Sequence, residues 1–312
     1  MVTAFLFWGR LLDRRDTMDW LGFFNARIHR LYPVYLLSLS LVFATVLISS
    51  GFHVRESFGS LATTLMQWLV FTGATPPLPP DINGFQHTWM LIAGVTWSLR
   101  YEWLFYLALP LLSCLFLRSK NYMAGALSLL ASLTFVALYG GNEGINVKLL
   151  GCFLGGIFAA HWVRNSKLSE ISRAWPAGLI AVMTLVATVA WVPANSPLTV
   201  AGLTVFFIVV ASGQDFRGCL TAPAILLLGE ISYGVYLLHG LVIWAMFTQL
   251  LPGITGQRFE PSIFFLAVPI ASIILVLLAI QASLHIERPG IRLGKRHHKI
   301  LMNLSNRLAP AR

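Results

Sequence analysis

Three groups of side chains in this apolar chain are of types and spacings that can do chemistry. The stretch from Thr96 to Pro110, TWSLRYEWLFYLALP, carries Arg100 and Glu102 among aromatic and aliphatic residues. Only 12 of the 312 residues are acidic, so a carboxylate here asks for a reason. An ionisable group within a membrane segment normally faces the bundle interior and marks a functional site. Glu102 is the candidate for taking a proton from a hydroxyl or for orienting a histidine; the alternative is a structural ion pair with Arg100 or Arg55. Tyr233, Tyr236 and His239 follow at spacings of three and line one face of a helix. His239 is a second catalytic candidate, although a lone histidine on an apolar helix is more often a hydrogen-bonded core residue, or the lining of a substrate channel, than a catalyst. Arg27 and Arg30 lie three apart, again on one face. Their planar guanidinium groups suit phosphate oxygens. The same pair is also what the orientation of a following span would select.

The elements that must position these residues are membrane helices. The chain is 57% hydrophobic and 11% charged, against about 25% charged in soluble domains. With a mean hydropathy of +0.74 this predicts an all-α, polytopic transmembrane bundle. The net charge of +10 reads as cytoplasmic loops rather than as a nucleic-acid surface. Cys114, Cys152 and Cys219 form no CxxC pair and no metal spacing, so neither a disulfide framework nor a metal site is expected.

Eight segments approach the roughly 20 apolar residues that a crossing needs: 33–50, 98–117, 122–140, 147–163, 176–194, 198–214, 222–248 and 262–284. The piece 1–8 reads as a truncated half-span. Arg10, Arg14, Arg15, Arg27 and Arg30 precede the first segment; Arg118 and Lys120, then Arg164, Lys167 and Arg173, then Arg217 follow alternate later ones. The intervening loops at 141–146, 194–197 and 249–261 hold one basic residue, Arg258. This alternation predicts a cytoplasmic C-terminus, with 1–288 a single transmembrane domain and 289–312, which includes Arg312, a basic tail. Parity then requires an even number of crossings between 50 and 98. The apolar run 61–74 is therefore predicted to be re-entrant or interfacial; a second crossing near 85–97 is the alternative. Thr96 would mark the outer end of a span, with Trp97, Tyr101 and Trp103 in an aromatic belt.

Three stretches together resemble the membrane acyltransferase 3 family, polytopic O-acyltransferases of bacterial surface sugars and of some lipids and antibiotics. ARIHRLYPVYLL, Ala26 to Leu37, matches an RxxR pair before a Tyr-Pro that opens a helix. TWSLRYEWLFYLALP matches Trp-Ser-Leu, two residues, Glu, then Phe-Tyr and Pro. LGEISYGVYLLHG, Leu228 to Gly240, matches Gly-x-Ile-Ser-Tyr, then Tyr-Leu and His, and IERP, Ile286 to Pro289, is a weaker fourth. The resemblance implies an inner-membrane enzyme that moves an acyl group, usually acetyl, from acyl-CoA to a hydroxyl of a surface or lipid-linked glycan. It implies no bound cofactor, and membrane lipid as the surroundings. Glu102 and His239 would be catalytic; Arg27, Arg30, Trp97, Tyr106, Tyr233 and Tyr236 would bind substrate. Glu287, in IERP, reads as a helix-end structural residue.

Two departures bear on this. The family carries a histidine on a helix before the RxxR loop, and here MVTAFLFW reads like the back half of the family's second helix. Val95 stands where many members have His, while an HTW occurs earlier, at His87 to Trp89. A catalytically inactive truncated remnant of the family is therefore one alternative. A polytopic transporter or flippase is the other; few charges fall in mid-span and no repeat is seen, so it ranks last.

Overall fold

The computed structural model describes residues 1–14, 18–70, 79–117, 122–139, 147–193, 196–255 and 261–308. Among them the chain is helical, with no β-strand: α1 (Val2–Arg14), α2 (Trp20–Ser49), α3 (Phe58–Leu69), a 3₁₀ helix (Thr88–Ile92), α4 (Thr96–Leu117), α5 (Tyr122–Tyr139), α6 (Val147–Arg164), α7 (Ser166–Arg173), α8 (Trp175–Trp191), α9 (Pro197–Ala211), α10 (Pro223–Trp244), α11 (Leu251–Thr255), α12 (Pro261–Ala282) and α13 (Arg288–Leu308). The all-α prediction holds. Each of the eight predicted segments falls on a helix. Four stretches, Trp20–Ser49, Thr96–Leu117, Pro223–Gly253 and Ile263–Asn303, are long and apolar enough to cross a membrane, and α7 with α8, bent by 74°, makes a fifth candidate. α9 has 15 residues, about 22 Å at 1.5 Å per residue against a core of about 30 Å. By length, then, the described residues give four or five of the predicted eight crossings. Arg15, Arg118, Lys120, Arg258, Arg312, the loop 141–146 and the ends of the segments 61–74, 122–140 and 176–194 lie outside the described residues.

The chain divides into two compact units, Met1–Met18 with Tyr101–Leu226, and Asp19–Arg100 with Leu227–Arg312. In the first, small residues set the helix spacing. Cβ atoms added at Gly151 and Gly155 of α6 would meet Val200 and Thr204 of α9. Both members of each pair advance by four, so α6 and α9 run in the same direction, with glycines letting the backbones approach. Pro110 interrupts the ladder of α4. The Leu111 amide donates instead to Ser128 Oγ of α5 (3.1 Å), and that hydroxyl donates to the Leu107 carbonyl. A side chain from a neighbouring helix thus satisfies backbone groups that proline leaves over.

In the second unit α2 starts well before Pro33. Asp19 caps it, accepting a hydrogen bond from the Gly22 amide (2.9 Å), and Pro33 lies in its interior. The expectation that Tyr-Pro opens a helix is corrected accordingly: the cap outweighs the proline, and Arg27 and Arg30 belong to the helix itself. α10 runs parallel to α2. Tyr233 donates to the Leu31 carbonyl (2.9 Å), and Ser38 donates to the Leu237 carbonyl (3.1 Å), so both partners advance together. The basic stretch expected as a tail is α13, continuous with α12 through a π turn at Ser283–Glu287. It packs antiparallel on the first turns of α2: Gly290 lies against Pro33, Asn25 donates to the Gly294 carbonyl (2.7 Å), and His298 meets Asp19 (3.0 Å).

Between α2 and α4 the chain folds back into this unit. α3 has only 12 residues, and its last turn lies against mid-α2: Tyr35 donates to the Trp68 carbonyl (2.5 Å) and Tyr32 to that of Leu69 (3.2 Å). By residue 83 the chain is back at the end of α2, where Asn83 donates to the Ser50 hydroxyl and the His53 carbonyl. The described part of 61–74, a short helix whose last turn lies at mid-α2, is compatible with the expected re-entrant or interfacial piece, and the described residues near 85–97 form turns and a 3₁₀ helix in place of the alternative crossing.

Candidate functional site

Glu102 and Tyr106 belong to the first unit; Arg27, Arg30, Trp97, Tyr233, Tyr236 and His239 belong to the second. Within the first, Glu102 lies one turn before Tyr106 on α4. Its Oε1 accepts a hydrogen bond from Thr3 Oγ1 of α1 (2.9 Å) and its Oε2 accepts one from the Tyr106 hydroxyl (3.4 Å). Tyr106 is buried, packed edge-on against Phe7 and Trp103. Two hydroxyls thus orient the carboxylate. α1 is pinned to α6 nearby: Trp8 Nε1 donates to His161 Nε2 (3.0 Å), and Arg164 donates to both oxygens of Asp13 (3.0 and 2.8 Å). The Arg164 hydrogen bond holds the Asp13 carboxyl below the usual carboxylate range.

In the second unit α10 presents Tyr233, Tyr236 and His239. Tyr236 donates to the Val95 carbonyl (2.8 Å) and shares a hydrogen bond with Ser98 Oγ (2.6 Å). Its ring lies against His239 at 6.1 Å, and His239 Nδ1 sits 2.7 Å from the Tyr236 carbonyl. That carbonyl can only accept, so Nδ1 carries the proton and Nε2 is left as the acceptor. Tyr236 lies thirteen residues past Pro223, about 20 Å along α10. The start of α4 therefore lies beside the middle of α10. Trp97 is 43% exposed. Replacing Tyr236 by Phe is expected to lower stability by about 1 kcal/mol, since Ser98 Oγ, 3.4 Å from the same Val95 carbonyl, still serves it. A thermal melt in detergent measures this.

The segment that delivers the start of α4 is built of turns and the 3₁₀ helix, with Ile82, Asn83, Thr88, Leu91 and Ile92 buried. Thr88 accepts from the Ile82 amide (3.0 Å) and donates to the Phe85 carbonyl (2.7 Å), while Asp81 accepts from the Thr88 amide (3.0 Å). Irregular backbone at membrane depth survives only where protein satisfies it, and here side chains do so. His87, exposed and at φ 57°, lies at the 3₁₀ N-terminus beside Trp89.

Arg30 lies on the third turn of α2, with Nε 3.7 Å from Glu287 Oε1. Glu287 is buried in the π turn, and its Oε2 has no hydrogen-bond partner among the described residues. The next residue, Arg288, donates to Glu230 of α10 (2.6 Å). Glu287 is thus more than a helix end: it faces a candidate phosphate-binding arginine. Sequence reasoning noticed it in IERP but had no way to pair it across the chain. Thr3 was missed altogether, as nothing local distinguishes a threonine in an apolar run.

Comparisons with known proteins bear on these residues. The acyltransferase 3 family model, described as an acyltransferase domain, matches residues 1–281. Nodulation protein 10 of Rhizobium leguminosarum bv. viciae is 26% identical over 248 residues, covering 71% of this chain. The chain spans 65% of the length of that relative. No solved structure matches.

Proposed function

The chain belongs to the acyltransferase 3 family, and from that premise we propose that it is a membrane-bound acyltransferase. It moves an acyl group, acetyl before others, from acyl-CoA to a hydroxyl of a cell-surface or lipid-linked carbohydrate. The observation that carries this reading is Glu102, a carboxylate on an apolar helix whose two oxygens are oriented by Thr3 and Tyr106. Such a group is built to receive the proton of an incoming hydroxyl. The hydroxyl oxygen attacks the thioester carbonyl, the carbon–sulfur bond breaks, and the proton passes to the thiolate of CoA. His239, with Nε2 as an acceptor, is the second candidate base. Arg27 and Arg30 would bind the phosphates of the donor, and Trp97, Tyr106, Tyr233 and Tyr236 would bind substrate.

The membrane is a bacterial inner membrane in this reading, with the C-terminus cytoplasmic. Two observations support it: basic residues follow alternate segments, and α2 and α10 run parallel, as two helices leaving the same side must.

The test is transfer of labelled acetyl from acetyl-CoA to bacterial envelope glycans by the purified protein, with the product identified as a base-labile ester. No label in the glycan under conditions where the protein is folded would overturn the reading. Arg30→Lys keeps the charge but loses the planar fork. It is expected to raise KM for acetyl-CoA about tenfold with kcat unchanged; an unaltered KM removes Arg30 from the donor site.

A further inference from the structure

The exposed face of α1 carries a pattern that the transfer reaction does not use. Val2, Leu6, Arg10 and Arg14 recur at every fourth position, and all four are exposed. They form one ridge along the helix, apolar in its first half and basic in its second. Where the ridge turns basic, the C-terminal end of α6 brings in a third guanidinium, that of Arg164. Gly9 is what lets it in: a Cβ there would lie 2.9 Å from Arg164 Nη2. Arg164 donates to the carbonyls of Gly9 (2.7 Å) and Ala160 (2.8 Å) and to Asp13, so it is held in place by the ends of two helices. Between these groups lies a cleft of about 350 Å³, with Phe5 and Leu6 on its wall and Arg10, Asp13, Arg14 and Arg164 at its rim. Among the described residues three arginines and one carboxylate line it, and Arg164 is paired with that carboxylate. That volume lies within the range of about 300–1,000 Å³ typical of small-molecule sites.

We propose that this cleft between the C-terminal ends of α1 and α6 binds the phosphate headgroup of an anionic phospholipid. The two halves of the ridge match the two halves of such a molecule. Guanidinium groups take the phosphate oxygens bidentately, while an acyl chain runs along Leu6 and Val2. Basic clefts between membrane helices near the headgroup level are a known setting for acidic lipids. A soluble organic phosphate such as CoA would use the same cations but would leave the apolar half of the ridge without a role. Arginines that merely snorkel to the interface would also attract anionic lipid, but then replacing two exposed cations elsewhere, Lys295 and Arg296, would lower retention as much as replacing Arg10 and Arg14.

The experiment is native mass spectrometry of the full chain in detergent, titrated in parallel with phosphatidylglycerol and phosphatidylcholine. The expected result is retained phosphatidylglycerol in the wild type, reduced about tenfold in the Arg10→Ala/Arg14→Ala double variant, with phosphatidylcholine low in both. The melt is measured alongside, so that a fold defect in the variant is told apart from loss of the lipid. Equal retention of phosphatidylglycerol by variant and wild type overturns the proposal. So does binding of CoA or adenosine 3′,5′-bisphosphate that depends on Arg10 and Arg14 while phosphatidylglycerol binding does not, since the cleft would then belong to the donor. The readout is lipid retention, so it stands apart from whether acyl transfer is seen.

Discussion

Glu102→Gln is expected to lower acetyl transfer at least about 100-fold, the lower end of what a positioned proton acceptor contributes, while leaving the thermal midpoint close to that of the wild type. The reasoning is geometric. An amide at this position retains an oxygen for one of the two hydroxyl donors, and the other hydroxyl can turn to accept from the amide nitrogen, so the contacts of Glu102 with Thr3 and Tyr106 survive in altered form. What glutamine lacks is a lone pair basic enough to take a proton. The loss should appear in kcat, with KM for acetyl-CoA little changed, because nothing in the proposal has Glu102 touching the donor's phosphates. Measuring initial rates with labelled acetyl-CoA checks it. A variant that transfers at the wild-type rate would remove Glu102 from the chemistry, and His239 would take its place as the group to test. Loss of activity together with a large drop in the melting temperature would assign Glu102 a structural part, and Thr3→Val, which removes one hydroxyl alone, would then separate the two contributions.

The largest effect on stability is expected at Gly240. A Cβ added there would lie less than 3.0 Å from backbone atoms of Ile92 and Ala93, in the buried segment that leads into α4. Backbone held by Asp81, Asn83 and Thr88 has little room to yield, so even alanine forces a shift, and leucine forces a larger one. Overpacking of this kind costs about 1–3 kcal/mol or more. The same helix provides the control. A Cβ at Gly229 meets nothing within 4 Å, so Gly229→Ala relieves the unfolded chain of some freedom and is expected to leave stability unchanged or raise it by about 0.5–1 kcal/mol. Melts of the two variants in detergent should move in opposite directions. If Gly240→Ala melts like Gly229→Ala, the close approach of the Ile92–Ala93 backbone to α10 is wrong.

How much of this was legible in the chain depends on the range of the forces involved. Apolar runs report on solvent and need no partner, so all eight predicted segments lie on helices and the all-α class followed from composition alone. Spacing along a helix is equally local: the shared face of Tyr233, Tyr236 and His239 required only the helical period, and so did the pairing of Arg27 with Arg30. Parity of basic loops was enough to deny 61–74 a full crossing. Hydropathy alone does not settle a crossing, because it measures greasiness and not length; α9, with 15 residues, is apolar yet short. The start of α2 was misplaced for a related reason. Pro33 is a conspicuous signal, whereas the Asp19 cap that sets the helix end depends on where the preceding chain turns.

The amino-acid sequence by itself determined a helical membrane protein, the segments that form its helices, the family, and the side chains able to do chemistry. Tertiary structure alone decided what those side chains face. Thr3 reaches Glu102 across 99 positions of the chain. Arg30 meets Glu287 because α13 folds back on α2, and Tyr236 meets Val95 because an irregular segment is buried against α10. These pairings come from hydrogen bonds and close backbone approach between distant parts of the chain, and such contacts leave no period and no hydropathy signal in the residues that make them.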